Sequence, residues 1–155
     1  MPISPIPENY PRVTPHLSIA GAAGAIDFYT SVLGASERMR MAMPDGTVTH
    51  AEIEIGGSVI MIGDENWPGG NDPSPTTLGG SPVALFIYVE DVDDVFNRAV
   101  ETGAVAVQEP EDHFYGDRVA MFDDPYGHRW NIGTHIEDVP PEEMERRAAE
   151  VMSTA

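Results

Sequence analysis

The amino-acid sequence predicts an α+β fold: a strand, a helix and three further strands, a unit that occurs twice, over residues 11–63 and again over 82–135. Each half opens with a short apolar run leading into a helical pattern that stops at a Gly. Each continues through three strand-like runs, and turn residues part those runs. A unit of ~50 residues buries too little apolar surface to be stable alone, so two are expected to pack their sheets together and leave a groove between them. The 155 residues then make a single domain, with a linker over 64–81 and a C-terminal helix and tail over 136–155.

The elements follow in order. In the first unit a strand is expected over 16–20, a helix through Ala25, Ile26, Phe28 and Tyr29 ending at Leu33 and Gly34, and strands over 36–43, 47–55 and 58–62. In the second, the strand spans 83–89, the helix 92–102 with Gly103 behind it, and the strands 105–108, 118–122 and 130–134. Pro44-Asp45-Gly46, Gly56-Gly57 and Asp124-Pro125-Tyr126-Gly127 read as hairpin turns. Before the first unit, Pro2, Pro5, Pro7, Pro11 and Pro15 bar a helix and predict an extended arm. The linker is rich in Gly, Pro, Asn and Asp, and its Trp67 is either a lid or dimer contact or an anchor of the loop to the core. After Pro140-Pro141, residues 142–150 read as a charged helix, acidic at its start with Arg later.

Composition excludes several function classes. Hydrophobic residues make up 41% of the chain, enough for an ordinary core, and no apolar run approaches the ~20 residues of a membrane span. No signal-peptide pattern is evident, so a cytoplasmic protein is expected. The absence of cysteine removes disulfides, thiolate metal sites and cysteine nucleophiles. Eight cations, all Arg, face 26 acids for a net charge of -18, and protonating the five histidines would bring it only to -13. With no lysine there is no Schiff-base chemistry, and such an acidic chain repels nucleic acid and anionic membranes. The field favours a cationic or metal-carrying small molecule, or else serves solubility alone.

Candidate site residues cluster on two stretches. Alternation over 47–55 places His50, Glu52 and Glu54 on one strand face and Val48, Ala51, Ile53 and Ile55 partly on the other. On an outer face the three are merely solvated; on a concave face they hold a metal or move a proton. In the second unit Phe114 and Tyr115 are candidates for stacking on a planar ligand, beside His113 and Asp117, and Arg118 for pairing a carboxylate of a ligand or an internal Asp. His128 reads as a residue tying its turn to the strand, His135 as structural or interfacial, and Trp130 as core. Met39, Met41 and Met43 alternate and would make a soft wall if they faced inward.

Residues 16–20 with 25–35, 50–62, 88–93 and 116–130 together resemble the vicinal oxygen chelate superfamily, which includes glyoxalase I, bleomycin resistance proteins and extradiol dioxygenases. The closing stretch, 134–144, is similar to its PhnB-like branch. The resemblance implies two βαβββ modules with a cupped mixed sheet around a cavity, in a homodimer. It also implies that catalytic members hold a divalent metal (Zn, Ni, Mn or Fe) on four strand residues, two from each module. Carried over position by position, those four fall at Thr14, Glu54, Ala84 and Asn131. Only Glu54 is a ligand of the usual kind, and a shifted alignment brings in His16 or His50 but no second-module donor.

The resulting expectation is a protein that binds an aromatic or cationic small molecule in a cavity without a catalytic metal or other cofactor. Trp67, Phe114, Tyr115, Arg118, His50 and Glu52 are its candidate ligand-binding residues. The alternative is a lyase, isomerase or dioxygenase-like enzyme in which His16, His50 and Glu54 hold a metal or move a proton.

Overall fold

Apolar spacing and turn chemistry build each half separately. A computed structural model describes residues 2–155 and divides the chain into two compact units, the first reaching Ser81 and the second running from Pro82 to Ala155.

The first unit contains β1 (His16–Ile19), α1 (Ala22–Leu33), β2 (Ser36–Ala42), β3 (Val48–Ile55), β4 (Ser58–Asp64) and a single helical turn, α2 (Pro75–Leu78). Its four-stranded sheet has the order β1-β4-β3-β2, with β1 parallel to β4 and the other pairs antiparallel. Helix α1 buries Ala22, Ala25, Ile26, Tyr29, Val32 and Leu33, an apolar stripe at three- and four-residue spacing, against one face of this sheet. No side chain of its own caps its start. Asp64, at the end of β4, does so from a distance, accepting the N–H groups of Gly21 and Ala22 at 3.0 and 2.8 Å while its other oxygen takes the Val48 N–H at 2.7 Å. The helix ends at Gly34, whose left-handed φ of 69° lets its N–H reach back to the Tyr29 carbonyl.

The second unit repeats the plan with β5 (Ala84–Tyr88), α3 (Val92–Glu101), β6 (Val105–Asp112), β7 (Asp117–Asp123) and β8 (Arg129–His135), in the sheet order β5-β8-β7-β6. Asp91 caps α3 by accepting the Asp94 N–H at 3.1 Å, and Val92, Val95, Phe96 and Ala99 face the sheet. Trp130 lies in the core at 1% exposure, and its indole N–H donates to buried Asp124 at 3.0 Å. His128 is buried in the same turn, its carbonyl accepting the Asp124 N–H at 2.8 Å and its own N–H donating to the Asp124 carboxylate at 3.0 Å. Helix α4 (Pro141–Ser153) buries no residue and is held chiefly by Arg147, which donates to the Phe114 carbonyl and to both Glu137 oxygens.

Both expected βαβββ runs are present, as are the three expected hairpins. Two segments differ. The linker carries the turn α2, because Ser74 caps it, Pro75 stands at its first position and Gly79 ends it. Strand β6 runs four residues past Gln108 to Asp112, with register shifts against β7 that let Pro110 sit in a strand. Among the described residues no helix is long and apolar enough to cross a membrane.

Candidate functional site

Each sheet has one face under its helix and one free of it. In the first unit the strand register places His16, Met61, Glu52 and Met39 in one row across the helix-free face. His50 stands two residues from Glu52 on the same face, and its ring stacks on His16 at 5.9 Å.

Glu52 is the centre of this arrangement. It is 4% exposed, which corrects the solvated reading of this strand face at that position: alternation identifies the face but not what lies on it. One carboxylate oxygen accepts the Tyr10 hydroxyl at 2.7 Å and the other accepts His50 Nε2 at 3.0 Å. Burial pushes its pKa up, but the hydrogen bonds from His50 and Tyr10 and the charges of His50 and Arg38 outweigh burial and hold it below the usual carboxylate range. Burial and the neighbouring His50 in turn push His16 down, toward the neutral imidazole at physiological pH. Arg38 lies over the Tyr10 ring at 4.9 Å and donates to the Asn9 carbonyl at 3.3 Å, while its Nη1 is buried with no partner. Beside these groups, Glu8, Asn9, Tyr10 and Pro11 of the arm and Arg38, Glu54, Gly57 and Val59 of the sheet line an open pocket of about 400 Å³.

A metal does not suit this donor set as arranged. His50 spends its Nε2 on Glu52, the rings of His16 and His50 lie face to face, and Glu54 lines the arm pocket instead of joining them. Among the described residues no group of three or more His, Asp or Glu side chains is placed to hold a metal ion. Of the other implied positions, Thr14 bonds its own arm at Pro11, Ala84 is exposed, and the Asn131 Oδ1 is buried without a partner.

The remaining candidates fall elsewhere. Trp67 is half-buried and lies on Gly70 within its own loop, where a Cβ on Gly70 would collide with the indole. Arg118 points to the helical side of β7, where Asp93 of α3 takes it through two bonds of 2.8 and 2.9 Å and Asp112 through a third of 2.9 Å. Of its two sequence readings, the internal ion pair is the one formed. Phe114 and Tyr115 occupy the β6–β7 turn, with Tyr115 stacked on His113 at 5.2 Å and edge-on to Phe114 at 5.4 Å. Met41 and Met43 are exposed.

Sequence reasoning missed Tyr10 and Arg38 in the first unit, and in the second it gave Asp117 no role of its own. Tyr10 is the sole aromatic residue of the Pro-rich arm, and that isolation was the available signal. On the helix-free face of the second sheet, Asp117 is buried at 5% exposure and accepts the Tyr88 hydroxyl and His135 Nδ1, each at 2.7 Å. His135 bonds Asp138 through its other nitrogen, also at 2.7 Å. Both contacts to carboxylates, Asp138 first and then Asp117, hold His135 above its usual pKa. A pocket of about 510 Å³ opens beside Tyr88, Val89, Glu90, Thr134 and His135.

Comparison with known proteins adds the lineage. Residues 16–132 match the family model described as the Glyoxalase/Bleomycin resistance protein/Dioxygenase superfamily. A Mycobacterium bovis protein named only as uncharacterized is 40% identical over 137 residues, covering 87% of this chain and 90% of its own. Among solved structures, TioX from Micromonospora sp. ML1 is 26% identical with a TM-score of 0.58, over 80% of this chain and 99% of its own. A PhnB protein from Bacillus cereus has a TM-score of 0.62 at 19% identity over the same shares, a likeness of fold.

Proposed function

This chain belongs to the Glyoxalase/Bleomycin resistance protein/Dioxygenase superfamily, and from that premise we propose that it binds a small organic molecule, aromatic or cationic, without a catalytic metal. The observation that carries the reading is Glu52: a buried carboxylate kept ionised on a helix-free sheet face, with a tyrosine hydroxyl and a histidine on its two oxygens. Such a group offers one strong acceptor and one negative charge to a ligand in surroundings that water screens poorly. The net charge of -18 raises the local concentration of cations. A homodimer and a cytoplasmic location belong to the same proposal, the first resting on the family resemblance and the second on the cysteine-free composition.

Fluorescence titration with planar cationic dyes of the acridine type, on the wild-type chain and on Glu52→Gln, tests it. A hydrogen bond to a charged group contributes about 1.5–3 kcal/mol, so the variant should bind at least about tenfold more weakly while its circular dichroism is unchanged. Equal dye affinity in the two chains sinks the proposal. A second reading, an acid–base enzyme of the superfamily, is favoured by the contact between His50 and Glu52, the pairing that orients a general base. Metal content measured by plasma mass spectrometry after challenge with zinc, nickel, manganese and iron decides on the metal. A stoichiometric ion lost in Glu54→Gln replaces the metal-free reading with the enzymatic one.

A further inference from the structure

We propose that Tyr10 is a built-in occupant of the Glu52 site, and that the exchangeable ligand there is a neutral phenol, an electron-rich ring bearing one hydroxyl donor, which binds by displacing the N-terminal arm. The inference rests on the reading of Glu52 as the recognition group. Short of Pro15, whose carbonyl takes the Met61 N–H at 2.9 Å, the arm meets the sheet as a strap fastened at one place. Residues 2–9 are all exposed, with Ile3 at 91%, and Val13 beyond the fastening is 85% exposed. Between residues 2 and 13 only Tyr10 is drawn in: its hydroxyl reaches Glu52 Oε1 at 2.7 Å, its ring lies under the Arg38 guanidinium, and Arg38 also takes the neighbouring Asn9 carbonyl.

Those contacts define what can replace it. Glu52 accepts only, and His50 already serves its other oxygen, so a lifted arm leaves Oε1 without its donor and open to another. Arg38 calls for the face of an electron-rich ring, which a phenol supplies. A phenolate is excluded because the ionised Glu52 would repel it. The same hydrogen bond, with burial and the Glu52 charge behind it, raises the Tyr10 hydroxyl pKa and keeps it a donor. The arm also forms one wall of the pocket of about 400 Å³ that adjoins the site, so lifting it opens that space to substituents on the ring. The extended, Pro-rich segment keeps few conformations when free, which lowers the entropic cost of docking again.

The probe is p-cresol, the tyrosine side chain as a free molecule, with p-methylanisole as the hydroxyl-blocked control. Full-length protein is labelled with 3-fluorotyrosine, and the Tyr10 fluorine resonance is assigned among the five tyrosines by its loss in Tyr10→Phe. In the wild-type chain, p-cresol should carry the Tyr10 resonance to the position of an unstructured tyrosine. Tyr10→Ala should bind p-cresol about tenfold more tightly than wild type, the factor for an arm that fills the site about nine-tenths of the time. The blocked control should bind both chains weakly. Equal p-cresol affinity in the two chains with an unmoved Tyr10 resonance overturns the strap, and failure of Tyr10→Ala to bind p-cresol overturns the ligand class. In either event, dye binding that Glu52→Gln abolishes leaves the proposed function standing. Binding of p-cresol that Glu52→Gln leaves untouched overturns both.

Discussion

A carboxylate withdrawn from water costs several kcal/mol unless donors meet it, so Glu52 is tolerable only because Tyr10 and His50 do. Its folded pKa lies below the unfolded value of 4.5, so the stability it contributes is present above that value and is lost as pH falls through the lowered folded one. Thermal midpoints of wild type and Glu52→Gln should therefore differ most near neutrality and converge at the acid end of the carboxylate range. Parallel curves would show that its ionisation does not matter. His135 has the opposite sign. Its folded pKa is raised, so its contribution is complete below 6.5 and disappears as pH rises through the folded value. An imidazole donating to both Asp117 and Asp138 must carry two protons, and His135→Asn should lose the stability difference between mildly acidic and mildly alkaline buffer. At this scale the sequence is half legible. Alternation put His50 and Glu52 on one face, but the burial of Glu52 depends on Tyr10, which is 42 residues away. The cluster at Asp117 depends likewise on a register between β7 and β8 that periodicity does not encode.

Elements form here because single side chains close their ends. Asp124 is the clearest case: buried at 3% exposure, it accepts the backbone N–H groups of Tyr126 and His128 with one oxygen and the indole of Trp130 with the other. Replacing it with Ala removes the acceptor that three donors share in the turn between β7 and β8. The expected cost is about 2–4 kcal/mol in urea unfolding, and a loss below about 1 kcal/mol would mean that water takes over its bonds. This turn was readable from Asp124-Pro125-Tyr126-Gly127, since Gly127 adopts a φ of 88° that other residues avoid. The helix α2 was readable too, in Ser74, Pro75 and Gly79, but the Gly- and Pro-rich setting read as loop. The extension of β6 was not readable: Pro110 lacks an N–H and signals a break, while the shifted register with β7 accommodates it.

At the scale of the molecule the unit written twice made the fold legible, because the same order of strand, helix and turns recurs and each copy needs another apolar surface. Charge is not divided in the same way. The first 81 residues carry nine acids against three arginines, a net of -6, and the remaining 74 carry seventeen against five, a net of -12. Every arginine of the second unit is already paired: Arg98 with Asp94, Arg118 with Asp93 and Asp112, Arg129 with Asp123, Arg146 with Glu143 and Glu150, and Arg147 with Glu137 and Glu143. The surplus acids therefore repel one another across an exposed surface, and compaction brings them closer than the unfolded chain does. Screening relieves this. Between ionic strengths of about 0.01 and 0.15 M the Debye length falls from about 30 to about 8 Å, shorter than the span of a unit. The thermal midpoint should thus rise with sodium chloride over that range, and amide exchange should show the larger gain in the second unit. Ion pairs respond in the opposite sense, since salt weakens exposed ones, though each contributes at most about 1 kcal/mol. A midpoint that falls with salt would mean that these pairs outweigh the repulsion, and that the acidic surface is balanced locally despite its net charge.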